Sequence, residues 1–169
     1  MSIRDHIEEL KRSGLLFPMV SYAPGAATRR GLLVNEELRD RLSGPWAAVE
    51  EEIQFMTLRA YLDVFTEGRS ITPGFLFQLT PRSDEVWEIK APRPRPGLRV
   101  FGRFADLDIF VALHCESRDV LKGWQSRMWR DAKETCKSEW RKLFVNWEPF
   151  RGNSIHDYVS DAIDGKYLK

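Results

Sequence analysis

A change in the spacing of apolar residues midway along the chain limits its fold more than any other feature. Apolar residues recur at helical spacing from Pro45 to Thr66, and then alternate with polar residues from Phe75 to Thr80, as in a strand. Helical spacing returns from Val120 to Phe144. The sequence therefore predicts a small α+β unit between about Gly74 and Phe144, with an antiparallel strand cluster before one long C-terminal amphipathic helix.

The strand cluster is predicted to be an antiparallel sheet of about four strands. After the strand at residues 75–79, a second is predicted at Val86–Lys90, and a proline-rich turn separates it from a third at Leu98–Phe104. The fourth, Leu107–His114, is mostly apolar, which is typical of a strand at the centre of a sheet.

Helices are predicted before the sheet. Ser2 and Asp5 can cap a helix that reaches Leu10, and Asn35 can cap another that ends near Leu42. The stretch between them is rich in proline and glycine, which indicates loop or short extended pieces. A longer helix is predicted to start with Pro45 in its first turn. Its buried face is predicted to carry residues spaced by three or four positions: Val49, Ile53, Met56, Ala60 and Val64. Four further residues widen that face, so the helix is expected to be heavily buried: Phe55, Leu58, Leu62 and Phe65.

The length of 169 residues suits one domain with appendages. We predict a helical and loop extension at residues 1–44 and an α+β core at residues 45–145. A tail at residues 146–169 is expected to contain a short helix between Ile155 and Ile163.

The charge is unevenly distributed along the chain. The whole chain has a net charge of only +1, which by itself does not indicate a nucleic-acid partner. Residues 1–80 carry nine Lys/Arg and eleven Asp/Glu, whereas residues 81–151 carry fifteen and eleven. The predicted sheet and long helix are therefore the basic part of the chain, with a net charge of +4.

Several features predict a cytoplasmic protein without a membrane partner. The two cysteines, Cys115 and Cys136, show no disulfide pattern, and no apolar run approaches the length of about 20 residues that crosses a bilayer. Met1–Leu10 lacks the apolar segment of a signal peptide. The histidines and cysteines also lack the spacing of zinc ligands, so we expect no metal and no cofactor.

Short sequence motifs in the predicted strands resemble a known family. Val86–Lys90, then Gly97–Phe101, then Ile109–His114 resemble the RelE/HigB-like toxins of bacterial and phage toxin–antitoxin systems, in the RelE/ParE superfamily. Members of that superfamily often carry a W-E-L-R strand, a g-x-Y-R-V strand and an apolar strand ending in L-L-H-x-F-x-K-K. The resemblance covers roughly Pro45 to Lys142.

The resemblance implies a metal-independent mRNA endoribonuclease that acts with the ribosome and is held by a cognate antitoxin protein. In this chemistry the ribose 2′-hydroxyl attacks the adjacent phosphate, which requires a base and cations that stabilise the growing negative charge. Arg99 matches the family's strand arginine and would clamp the phosphate. Lys90 and Arg118 occupy positions where the family has basic residues, and Glu88 can serve as the base.

Other residues are predicted to contact RNA. Arg103 lies on the predicted strand that carries the phosphate clamp, and Arg93 and Arg95 lie in the proline-rich turn. His114 matches the family's histidine, and Trp124 can stack on a base. Ordinary roles stay open for all of these residues, because charges are mostly solvated at the surface and tryptophans mostly pack in cores.

Departures from the family pattern keep other functions open. The F-x-K-K segment is replaced by Glu116–Asp119, which retains one cation and adds two acids, and the long helix predicted from Val120 has no histidine or tyrosine near its start. One alternative is a catalytically inactive protein of RelE fold that binds or inhibits a partner and is of phage origin. Another is a ParE-like protein that acts through protein contacts. A further alternative is that the acidic N-terminal extension covers the basic region.

Overall fold

The computed structural model describes residues 1–123 and 125–168. Within these residues the chain forms six α-helices and one six-stranded mixed sheet, so the α+β class is confirmed. The helices are α1 (Ile3–Arg12), α2 (Glu36–Ser43), α3 (Val49–Thr66), α4 (Arg118–Leu121), α5 (Arg127–Leu143) and α6 (Ile155–Tyr158). The strands are β1 (Leu16–Pro18), β2 (Gly31–Asn35), β3 (Leu76–Gln78), β4 (Trp87–Ala91), β5 (Leu98–Asp106) and β6 (Ile109–Ser117). None of the described helices is both long enough and apolar enough to cross a bilayer.

The predicted antiparallel sheet of about four strands is wrong. The strand order is β1-β2-β6-β5-β4-β3, and β2 pairs in parallel with β6 while the other neighbours are antiparallel. Both added strands come from the first 44 residues. β2 could not be predicted from alternating apolar and polar residues, because Leu32, Leu33 and Val34 form a short run that is entirely apolar. Such a run is expected of a strand that is buried on both faces.

The prediction of one long C-terminal helix is also wrong. The region from Val120 to Phe144 is divided into α4 and α5. Lys122, with a φ of 55°, ends α4, because a residue with a positive φ cannot continue a right-handed helix. The Ser126 side chain then accepts a hydrogen bond from the Trp129 main-chain nitrogen (3.1 Å) and starts α5. Helix α5 is followed by α6 and a 3₁₀ turn at Gly165–Leu168.

Two of the predicted helix starts are confirmed. Ser2 and Asp5 form a capping box at α1, and Asn35 accepts a hydrogen bond from the Leu38 main-chain nitrogen at the start of α2. The Asn35 amide also donates to the main-chain oxygen of Leu113 (2.9 Å), which joins the end of β2 to β6. Local capping chemistry therefore also fixes a contact between distant parts of the chain.

The buried face of α3 is narrower than the one predicted. Val49, Ile53 and Met56 are 66%, 52% and 59% exposed. The buried apolar positions are those predicted to widen that face: Phe55, Leu58, Leu62 and Phe65. The helix is apolar around much of its circumference, so spacing alone could not choose which apolar face would meet the sheet. It also begins at Val49 rather than Pro45.

The sheet separates two apolar cores. The core on one side includes α2, α3 and α6, and it contains Phe65, Val100 and Phe104. The core on the other side includes α1 and α5, and it contains Phe101 and Trp140. Strand β5 contributes to both cores because successive side chains of a strand point to opposite faces.

An irregularity in the pairing of β5 with β6 depends on Gly102. Phe101 pairs with His114 but Gly102 pairs with Ala112, so one extra residue of β6 lies between them. A Cβ atom on Gly102 would overlap the main-chain oxygen of Val111 and lie 2.5 Å from the Phe110 ring. The two strands can therefore approach this closely only when the residue has no side chain.

Gly102→Ala is expected to lower the free energy of unfolding by about 2 kcal/mol, because the added methyl group must displace backbone at the centre of the sheet. Urea unfolding measures the change. Gly123→Ala is the matched control, since a Cβ there meets nothing within 4 Å. Equal stability of the two variants would contradict this account of the irregularity.

Candidate functional site

A cleft of about 360 Å³ lies between the edge of the sheet at β3 and β4 and the first turns of α5. We call it the basic cleft. Its charged lining consists of Glu88, Lys90, Arg99, Arg118 and Lys133, and its other lining residues are Phe77, Leu79, Thr80 and Trp129. Cations outnumber the carboxylate in this lining, so the cleft suits an anionic ligand.

Strand register brings the central charges together. Glu88 and Lys90 are two residues apart on β4 and therefore share a face of the sheet. Lys90 is directly opposite Arg99 on β5, and Glu88 is directly opposite Phe77 on β3. Arg118 joins them as the first residue of α4, immediately after β6. Its main-chain nitrogen donates to the Gly97 oxygen (3.0 Å), which ties α4 to the start of β5.

The Glu88 carboxylate is buried among cations without a close hydrogen bond to them. Its side chain is 5% exposed, with Oε1 at 3.7 Å from Lys90 Nζ and Oε2 at 3.6 Å from Arg99 Nε. Both distances exceed those of ordinary hydrogen bonds. Glu88 Oε2 and Arg99 Nε are buried and have no hydrogen-bond partner within the described residues. These groups therefore retain bonding capacity for a ligand.

Burial shifts the protonation of both central groups. It raises the pKa of Glu88, and the nearby charges of Lys90 and Arg99 oppose that shift without cancelling it. Burial likewise lowers the pKa of Arg99, which the Glu88 charge opposes. The carboxylate accepts a proton more readily than an exposed glutamate does. The raised pKa makes Glu88 a stronger base than an exposed glutamate.

The remaining cations of the cleft are held by neutral groups. Their nitrogens donate to main-chain oxygens: Lys90 Nζ to Pro73 (3.2 Å), Arg118 to Lys122, and Lys133 Nζ to Thr80 (2.7 Å). The Arg118 guanidinium also lies 5.7 Å from the centroid of the Trp129 ring, within the range of a cation–π contact. These contacts orient the cations but leave their positive charge available.

Three of the residues predicted to contact RNA lie away from the basic cleft. Arg93 and Arg95 are exposed in the turn between β4 and β5. Arg103 is 7% exposed, and its guanidinium donates to the main-chain oxygen of Asp84 (2.6 Å). It lines a separate cleft of about 320 Å³ together with Lys137.

The predicted histidine and tryptophan are also outside the described lining of the cleft. His114 lies on β6 with its ring centroid 5.9 Å from that of Phe101, and burial lowers its pKa while Glu116 opposes the shift. Trp124 lies outside the residues that the structure describes. The acidic N-terminal extension supplies none of the described residues that line the basic cleft.

The sequence interpretation missed Trp129 and Lys133. These residues are four positions apart, so they lie on one face of α5 and reach the cleft together. Their spacing is a usable signal, but the helix that the sequence predicts starts at Val120, seven residues before α5. The sequence signal that locates the start of α5, and with it Trp129 and Lys133, is the capping residue Ser126.

Comparisons of the chain with protein-family models, with curated proteins and with solved structures find no match. The resemblance to RelE/HigB-like toxins is therefore still a prediction from the sequence motifs. The basic cleft has to be interpreted from its own geometry.

Replacing Glu88 with glutamine should change how stability depends on pH. Because the pKa of Glu88 is raised in the folded protein, folding becomes less favourable as this group loses its proton. The wild type should therefore lose free energy of unfolding relative to Glu88→Gln as pH rises from the ordinary pKa of 4.5 through the raised value. Below this window the difference should be constant.

Urea unfolding of both proteins between about pH 4 and pH 8 measures this difference. Glu8→Gln is the control for loss of a carboxylate, because its side chain is 62% exposed and a surface charge contributes little to stability. A difference that is independent of pH, or that favours the wild type as pH rises, would contradict the raised pKa.

Proposed function

We propose that the chain is a RelE/HigB-like, metal-independent endoribonuclease that cleaves RNA in the basic cleft. The observation that carries the proposal is the convergence of Glu88, Lys90, Arg99 and Arg118. The resemblance assigns proton transfer and phosphate binding to these four residues. They lie on β4, β5 and α4, and they nevertheless line one cleft.

The chemistry follows from the positions of the charges. Glu88 takes the proton of the ribose 2′-hydroxyl as its oxygen bonds to the adjacent phosphorus. Arg99, Lys90 and Arg118 stabilise the negative charge that grows on the phosphate oxygens. The bond to the 5′-oxygen breaks, leaving a 2′,3′-cyclic phosphate, and the 5′-oxygen takes a proton from water or from the Lys133 ammonium group.

The aromatic lining supports a single-stranded RNA substrate. Phe77 is 43% exposed, and Trp129 lies beside the Arg118 guanidinium. Rings at the border of a cationic cleft can stack on unpaired bases while the cations bind the backbone. We therefore propose mRNA on the ribosome as the substrate, with a cognate antitoxin protein as the partner that restrains the activity.

One observation favours an alternative in which the protein binds RNA phosphates without cleaving them. Among the described residues, no histidine or tyrosine lines the basic cleft. A glutamate is then the main group for proton transfer, and the leaving oxygen has no acid with a pKa near neutral beside it. The same cations would bind the phosphate in both cases, so a cleavage assay separates the two functions.

Arg99→Gln is expected to lower RNA cleavage by about 10²- to 10³-fold, because the variant loses a guanidinium that stabilises the transition state. Glu88→Gln should lower it as well, and should remove the rise of the wild-type rate with pH through the raised pKa of Glu88. The assays are cleavage of mRNA on translating ribosomes by the purified protein, and growth after induced expression.

The control for these variants is Arg127→Gln. Arg127 is at the start of α5, its side chain is 83% exposed, and it pairs with Asp131 outside the basic cleft. Circular dichroism should show the same fold for every variant. A wild type that folds but leaves RNA intact on translating ribosomes would contradict the nuclease and favour phosphate binding alone.

Salt should weaken RNA binding in proportion to the number of phosphate contacts. For single-stranded RNA, each contact contributes about −0.7 to the slope of log affinity against log salt concentration. Arg118→Gln should therefore make that slope shallower by about 0.7, while Arg127→Gln should leave it unchanged. Fluorescence anisotropy with a 2′-O-methyl RNA, which lacks the attacking hydroxyl, measures binding without cleavage. Affinity that does not change with salt would contradict phosphate recognition.

A further inference from the structure

A second cavity adjoins the basic cleft. Its volume is about 530 Å³, and Phe77 and Thr80 line both cavities. We call it the aromatic pocket, because the rings of Phe77, Trp87 and Tyr167 line it together with the polar side chains of Gln78 and Arg82. A ligand bound through its phosphate in the basic cleft can therefore extend past Phe77 into the aromatic pocket.

The aromatic pocket is lined by residues with unsatisfied buried donors. Trp87 is 3% exposed, and neither its Nε1 nor the Tyr167 hydroxyl has a hydrogen-bond partner within residues 1–123 and 125–168. Comparable groups elsewhere are paired: Trp140 Nε1 donates to the Trp147 oxygen at 2.9 Å. Because buried polar groups in folded proteins are normally bonded, two unpaired donors on residues that line one cavity point to a ligand that supplies acceptors.

The chemistry of the donors restricts that ligand. An indole nitrogen can only donate. Burial, and then the Glu88 charge, raise the pKa of Tyr167, so its hydroxyl keeps its proton at neutral pH. The lining is also rich in rings, which favours a flat partner. The pocket therefore suits a planar group that carries carbonyl oxygens.

We infer that the aromatic pocket binds the nucleobase of the nucleotide whose phosphate occupies the basic cleft, and that it prefers guanine, uracil or cytosine to adenine. The three preferred bases are flat and carry exocyclic keto oxygens that accept hydrogen bonds, whereas adenine has none. The inference rests on the proposed function, because it takes the phosphate in the basic cleft as its neighbour. It adds base selectivity, read by Trp87 and Tyr167, to that site.

The test is isothermal titration calorimetry of the full chain with inorganic phosphate, free guanosine and the 3′-monophosphates of guanosine, uridine and adenosine. The guanosine and uridine nucleotides should bind more tightly than phosphate or the adenosine nucleotide. Tyr167→Phe removes one donor and nothing else, so it should weaken binding of guanosine 3′-monophosphate by about 3- to 10-fold. Its affinity for phosphate should not change.

Stability adds an independent readout. Because the Tyr167 hydroxyl is unpaired, Tyr167→Phe should unfold at no lower urea concentration than the wild type. Trp87→Phe should weaken nucleotide binding in the same selective way. Tyr22→Phe is the matched control, since Tyr22 is 70% exposed and lies over Arg59, outside the pocket. It should bind every ligand as the wild type does.

The outcomes separate this inference from the proposed function. Phosphate binding with no gain from any base, or equal binding of the guanosine and adenosine nucleotides, would overturn the nucleobase pocket and leave the phosphate cleft standing. Guanosine binding that Tyr167→Phe weakens, without phosphate binding, would overturn the proposed function and support the pocket. Absence of both would overturn both.

Discussion

The pairing of β5 with β4 on one side and with β6 on the other is the interaction on which the rest of the molecule depends. Side chains of β5 enter both apolar cores, with Val100 on one face of the sheet and Phe101 on the other. The same register sets Lys90 opposite Arg99 and so assembles the charged floor of the basic cleft. Close approach of β5 and β6 in turn requires the missing side chain of Gly102. The same strand pairing therefore supports both the two apolar cores and the charged lining of the basic cleft.

The basic cleft concentrates charge at a cost to folding. A carboxylate and a guanidinium that are both buried lose hydration, and at distances near 3.6 Å Glu88 and Arg99 recover only part of it through their attraction. Well-packed cores above and below the sheet offset this cost, since apolar burial is the main stabilising term. Poorly satisfied charges in a cleft are typical of sites that complete their bonding with a ligand, and here the excess of cations favours an anionic one.

The sequence predicted the parts of the site that depend on local periodicity. Glu88 and Lys90 are two residues apart on a strand and must share a face, and Arg99 follows after one turn, so their proximity could be inferred. Trp129 and Lys133 reach the cleft only because α5 starts at Arg127, capped by Ser126, and packs against β5 and β6. Arg103 shares the strand with Arg99 but faces a different cleft four residues further along. A position on the same strand as Arg99 therefore did not place Arg103 in the same cleft.

The sequence by itself determined the α+β class, the capping residues Ser2 and Asn35, and the strands that carry the central charges. These features depend on neighbouring residues and on hydrogen bonds within a few positions. Only the tertiary structure decided that β2 lies parallel to β6 in the middle of the sheet. It also decided which part of the predicted apolar face of α3 is buried. Both outcomes depend on contacts between segments far apart in the chain, where competing apolar surfaces differ in packing rather than in pattern.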